Sequence, residues 1–127
     1  MNIRLFSFEK LEAYKEARIL VKDIYLLLDK FPKTETYALC DQLRRSAVSI
    51  TSNIAEGSGR NSTKEKIHFL EISFGSMMEC FSQLQIAQDL GYVTEDDMEQ
   101  IRTKFNTVAS LISGLKRSLE QSLTVNS

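Results

Sequence analysis

The stretch from Leu43 to Leu70 constrains this chain more than any other. Leu43, Ala47, Ile50 and Ile54 recur at spacings of three and four, which line up one face of an α-helix. Gly57 and Gly59 follow, and glycine takes the left-handed backbone conformation that ends helices at little steric cost. Ser62 precedes Glu65 by three residues, a capping-box spacing in which each side chain satisfies a backbone N–H of the other. A helix, a stop and a capped restart predict a tight antiparallel hairpin. The stretch predicts no reaction.

The flanking segments extend the same pattern. After a short N-terminal arm, Tyr14, Ala17, Val21, Ile24, Leu28 and Phe31 step by three and four, and Leu20 and Leu27 widen the stripe. A first helix is expected over about residues 8–31, ended by Pro32, because the residue before proline is pushed out of helical geometry. The second helix is expected over about 36–56. The third, over about 63–90, carries Ile67, Leu70, Phe74, Met77, Phe81 and Leu84 as a heptad seam and closes at Gly91. The fourth, over about 94–122, opens on Thr94 three residues before Asp97. Its seam is Met98, Ile101, Phe105, Val108, Ile112, Leu115 and Leu119, with Thr124 to Ser127 as a frayed tail. Short connections between long amphipathic segments predict one all-α domain over residues 1–127, an antiparallel up-down-up-down four-helix bundle.

Beside the apolar stripe of the second helix runs a polar row of Arg45, Ser49, Asn53 and Glu56, and the third helix carries Glu71, Gly75 and Glu79 at matching spacing. A reversal centred near residue 60 sets Arg45 level with Gly75, within about one turn of both glutamates. Arg45 is therefore expected to pair with Glu71 or Glu79 in a structural polar network. Ser46, Ala47, Ser49, Ser52 and Ala55 are small enough to let a neighbouring helix approach closely. The same register places Cys40 level with Cys80, so a disulfide is a secondary expectation. The primary one is two small buried residues in a reducing cytoplasm.

Composition narrows the function. The net charge of −1 argues against a strongly polyanion-seeking protein, since non-specific nucleic-acid binding draws on a basic excess. Locally, Arg44, Arg45, Arg60, Lys64 and Lys66 gather around the hairpin and are the candidate nucleic-acid-binding residues, with Lys116 and Arg117 a smaller cluster. The N-terminus is charged too early for a signal peptide, and no apolar run reaches membrane-spanning length. A cytoplasmic protein with no membrane partner is expected.

The single histidine, His68, disposes of several enzyme classes. Glu65 and His68 have the Glu-x-x-His spacing of di-iron bundles, but those sites need two such motifs and two further carboxylates. A helical ribonuclease pattern pairing an arginine with a following histidine fails, because Arg60 lies too far upstream, across a helix start. Gly57-Ser58-Gly59 lacks the preceding strand and the Gly-Lys-Ser/Thr ending of a phosphate loop. No serine has a base placed by a recognisable motif. No catalytic residue, metal site, cofactor or small-molecule substrate is expected, and a carboxylate metal enzyme ranks last.

At the hairpin the chain resembles the four-helix bundle family of 23S ribosomal RNA intervening-sequence proteins. The residues that carry the resemblance are Leu43-Arg44-Arg45-Ser46-Ala47-Val48-Ser49-Ile50, Asn53-Ile54-Ala55-Glu56-Gly57, Glu65, Phe69-Leu70-Glu71-Ile72 and Gly75-Ser76. Phe31-Pro32, Tyr37-Ala38-Leu39 and Ala87 with Leu90-Gly91-Tyr92 support it. Thr51 departs from the family, which often has proline there. The resemblance implies a non-catalytic bundle that assembles into a ring, a homopentamer, with RNA or DNA as a further partner. It also implies an alternative, since relatives include accessory proteins of diversity-generating retroelements that bind nucleic acid and a reverse transcriptase.

Overall fold

The computed structural model describes residues 3–125. Four α-helices dominate it: α1 (Glu12–Leu28), α2 (Leu39–Ser58), α3 (Thr63–Asp89) and α4 (Glu95–Val125). Short 3-10 turns occupy Ser7–Lys10 and Lys33–Glu35, and there is no strand among the described residues. Each helix packs on its two neighbours around a square, and among the described residues the backbones of the diagonal pairs α1/α3 and α2/α4 make no close approach.

The contacts fix the directions. Ser7 meets Ser58 across α1 and α2, and Ser58 meets Lys66 across α2 and α3. Glu71 meets Lys116 and Phe81 stacks edge-on against Phe105 across α3 and α4. Asp23 pairs with Lys104 and Lys30 with Asp97 across α4 and α1. In every pair an early residue meets a late one, so all four contacts are antiparallel and the bundle runs up-down-up-down.

α1 is shorter than its pattern suggests. Leu11 is extended (φ −73°, ψ 128°), which separates the first 3-10 turn from the helix. At the other end Lys30 and Phe31 donate to carbonyls three residues back, tightening the chain before Pro32. α2 runs on to Ser58 without a break at Thr51, whose hydroxyl donates to the Val48 carbonyl. α4 continues through Thr124, which is helical and not frayed; Asn126 and Ser127 lie outside the described residues.

The stops differ from expectation at one place. Gly57 is helical and Gly59 sits at φ −87°, so neither uses the left-handed region. Gly57 serves close approach, because a Cβ there would lie 2.7 Å from the Phe69 Cβ. Gly91 is left-handed (φ 82°), and it ends α3 with Tyr92 N–H donating to the Ala87 carbonyl and Gly91 N–H to that of Gln88. Ser62 caps α3 by accepting from the Glu65 N–H at 3.1 Å. Thr94 and Asp97 exchange both bonds of a capping box at 3.0 Å.

The core comprises Ala17, Leu20, Ile24, Leu43, Ala47, Ile50, Ile54, Met77, Leu84, Phe105, Val108 and Ile112, with others around them. On α3 the buried line is Leu70, Ser73, Met77, Cys80, Leu84 and Ala87. Phe74, expected in the seam, is 37% exposed, and Ile67 and Phe81 are only half-buried. The cause is steric. The α2–α3 contact is the most extensive in the bundle and admits small side chains, so Ser73 and Cys80 turn inward and the phenyl rings move to its flanks.

Asp97 couples a helix cap to an interhelical pair. Lys30 at 2.7 Å and then the Thr94 backbone hold its carboxyl below the usual 3.8. A depressed carboxyl contributes stability that is present above the unfolded value and is lost as pH falls through the lower folded value. Asp97→Asn is expected to cost about 1 kcal/mol at pH 7 and to flatten the loss of stability below about pH 3.8. Urea unfolding midpoints of both proteins at pH 7 and pH 3 check this.

Candidate functional site

The seam between α2 and α3 holds two of the polar side chains that the sequence singles out, Ser49 and Asn53, among hydroxyls from both helices. The Ser46 hydroxyl has one proton, which it donates to Gln83 Oε1 at 2.8 Å, and the Leu43 carbonyl lies near it at 3.3 Å. The Ser49 and Ser76 hydroxyls lie 2.7 Å apart, and Asn53 Nδ2 donates to the Ser49 carbonyl and hydroxyl at 2.8 and 2.9 Å. Ser73, fully buried, donates to the Ile50 carbonyl at 2.8 Å. Of the expected network, Ser49 and Asn53 stand at its centre. Ser46, Ser73, Ser76 and Gln83 were not foreseen as members. Their signal is present in the sequence as small hydroxyls at seam positions on both helices.

Arg45 does not reach the third helix. It pairs with Asp41 on its own helix at 3.2 Å and its side chain is 81% exposed, a pair worth little to stability. Glu71 pairs instead with Lys116 at 3.9 Å, and Glu56 with Arg60 at 2.7 Å. The hairpin is centred later than residue 60, because α2 does not stop at Gly57. Ile50 is level with Ser73 and Ser49 with Ser76, which sets Arg45 level with Glu79. The pair fails because the Arg45 side chain turns to solvent and Asp41, one turn back on its own helix, takes it. Glu79 lies beside Cys80 on the exposed side. Cys40 and Cys80 are both buried and unbonded, so no disulfide forms. Burial pushes the Cys80 thiol up to about 11, which makes it a poor nucleophile.

The basic residues do not form one patch. Arg44 donates to the Thr36 carbonyl at 2.7 Å near the start of α2, beside Arg45. Arg60, Lys64 and Lys66 lie at the far end, roughly 20 Å along the helix axis. Arg60 holds Glu56 and covers the Phe69 ring with its guanidinium 4.6 Å from the centroid. Lys66 donates to the Ser58 carbonyl at 3.1 Å, satisfying an orphan group at the end of α2. Lys64 is exposed, with no ion pair among the described residues.

His68 is exposed and meets Phe69 edge-on, with centroids 5.9 Å apart. Among the described residues no three His, Cys, Asp or Glu side chains come together as a metal-binding group. None of the helices, among those residues, is long and apolar enough to cross a membrane.

The outward faces carry a second feature. α3 exposes Ile72, Met78 and Ile86 at 37, 47 and 50%. Gly75, between them, has no atom within 4 Å of where its Cβ would sit. Glu71 and Glu79 share this face. On the diagonal helix α1, Ile19 and Leu26 are 47 and 56% exposed, seven residues apart on one face, with Lys15 and Lys22 beside them.

The arrangement has known counterparts. A crystal structure of a protein with unknown function from the S23 ribosomal protein family, from Bacteroides thetaiotaomicron, matches with a TM-score of 0.75. It is 20% identical, and the match covers 82% of this chain and 97% of that one. At that identity the likeness shows the fold alone. Among curated proteins there is no match. The model of the 23S rRNA-intervening sequence protein family matches residues 9–114, most of the chain and all of the hairpin. The chain belongs to that family.

Proposed function

We propose that the protein is a non-catalytic module that assembles with copies of itself into a ring and associates with RNA. The observation that carries assembly is the pair of apolar faces on diagonal helices, Ile19 and Leu26 on α1 and Ile72, Met78 and Ile86 on α3. Lys22 beside the first face and Glu79 beside the second carry no ion pair among the described residues, whereas Lys15 and Glu71 are held by Glu12 and Lys116. One complementary charge pair is therefore available between the two faces. Because they lie at opposite corners of the square, contact between them is head-to-tail. Such a contact closes into a ring when the rotation per subunit fits. The resemblance to the family implies five subunits. Sedimentation at micromolar concentration is expected to give a defined oligomer; a stable monomer overturns the reading.

RNA association draws on the hairpin end, where Lys64 stands without a carboxylate partner near Arg60. Retention of RNA is expected at low salt and to fall as salt rises. Neutralising Arg60 and Lys64 to glutamine is expected to weaken it uniformly across sequences and to reduce the salt slope by about one to two. Absence of retention at low salt removes the RNA role and leaves the assembly reading intact.

A further inference from the structure

The helices are unequal: α1 has 17 residues, against 27 in α3 and 31 in α4. At the hairpin end α1 therefore stops about 15 Å short of the length that α3 reaches. The other three helices continue to present apolar side chains to the space that α1 leaves. The result is a cavity of about 190 Å³ walled by Leu11, Ile54, Leu70, Leu115 and Leu119. Gly57 widens one side, and Ser58, Ser118 and Lys66 complete the lining.

Lys66 is the only charged group in that lining. Its ammonium carries three donors and uses one on the Ser58 carbonyl at 3.1 Å. Among the described residues no carboxylate lies within ion-pair distance of it. A half-open apolar cleft with one unneutralised cation in its lining matches one kind of ligand: an apolar body with a single anionic head. An engineered cavity of about 150 Å³ already holds benzene, so this one has room for a body of roughly six to eight carbons.

We propose that the cavity at the hairpin end binds a small monocarboxylate with an apolar body, its head on Lys66 and its tail among Ile54, Leu70, Leu115 and Leu119. The site lies at the end of the bundle, away from the outward faces of α1 and α3. It therefore stands apart from the assembly reading, and it shares the hairpin end with Arg60 and Lys64 of the RNA reading, neither of which lines it.

Octanoate is the probe, and 1-octanol its neutral counterpart of equal chain length. Calorimetric titration of the full chain is expected to show octanoate binding about tenfold tighter than 1-octanol, the gain of one charge-assisted contact. Lys66→Met should erase that ratio while leaving the octanol affinity in place. Leu115→Trp, which fills the cleft, should abolish binding of both. Circular dichroism and the unfolding midpoint of each variant verify that it is folded. Should Leu115→Trp not fold, Ser118→Phe tests the same space from the rim of α4. The proposal is overturned if octanoate does not bind at millimolar concentration. It is equally overturned if the folded filling variants bind it unchanged, or if Lys66→Met leaves the tenfold ratio in place.

Discussion

Replacing Gly57 with valine is expected to lower folding stability by about 3 kcal/mol, with most of the loss already set by the first added carbon. That carbon would sit 2.7 Å from the Phe69 Cβ and 3.5 Å from the Lys66 carbonyl oxygen. Neither atom has a side-chain torsion through which to retreat, since a Cβ and a carbonyl move only with the backbone of α3. The two helices must therefore part. Parting stretches the Ser73–Ile50 and Ser49–Ser76 hydrogen bonds higher in the same seam. Alanine offers a finer measurement. It gains about 1 kcal/mol of helix propensity over glycine, against an overpacking cost of about 1 to 3, so the net loss lies between about 0 and 2 kcal/mol. Gly59→Ala is the control, because its nearest contact is an ordinary 3.6 Å and its φ of −87° suits any residue. Urea unfolding of the three variants separates close approach from backbone freedom. Equal gains at positions 57 and 59 would show that the helices are not in tight contact there.

The second large effect concerns assembly. Ile72→Glu combined with Ile86→Glu places two charges in the outward face of α3, at positions 37 and 50% exposed in the single chain. The bundle itself should fold as before, because neither side chain supports the core. An interface forced to bury those carboxylates should weaken by at least about a hundredfold, and the chain should sediment as a monomer. Leu26→Glu on α1 should do the same from the other side. Mixing the two monomeric variants then tests the geometry. In a head-to-tail contact each variant keeps one intact face, so the mixture should form a one-to-one dimer and stop there. If α3 instead met α3 across a two-fold axis, Leu26→Glu would remain oligomeric and the mixture would gain nothing.

The helical organisation was legible because it rests on periodicity and caps. Every residue of the second-helix stripe, Leu43, Ala47, Ile50 and Ile54, is buried, and Gly91, Ser62 and Thr94 act where their spacing placed them. The third helix was harder to read. Phe74 and Phe81 fit the heptad as well as Ser73 and Cys80 do, and apolarity favours the rings. The spacing between α2 and α3 decides between them, and one helix's sequence does not contain it. Arg45 meets a different limit. Spacing sets it level with Glu79, but the direction a long side chain takes on a helix flank is decided by Asp41 one turn away and by solvent. The basic residues were grouped by nearness in sequence, yet Arg44 and Arg60 face different ends of α2. The cavity could not have been read at all, since it depends on α1 starting only after an extended Leu11.

The hydroxyl contacts between α2 and α3 have a consequence for alignment. A purely apolar heptad seam tolerates sliding, because a shift of seven residues, about 10 Å, presents the same kind of surface again. Hydroxyl-to-carbonyl and hydroxyl-to-hydroxyl contacts are satisfied at one axial offset and broken at the next. Ser73 on the Ile50 carbonyl, Ser49 on Ser76 and Ser46 on Gln83 thus act as a vernier between these two rods. Helices α1 and α4, which meet through leucines, isoleucines and flexible surface pairs, take their offset from a scale engraved elsewhere.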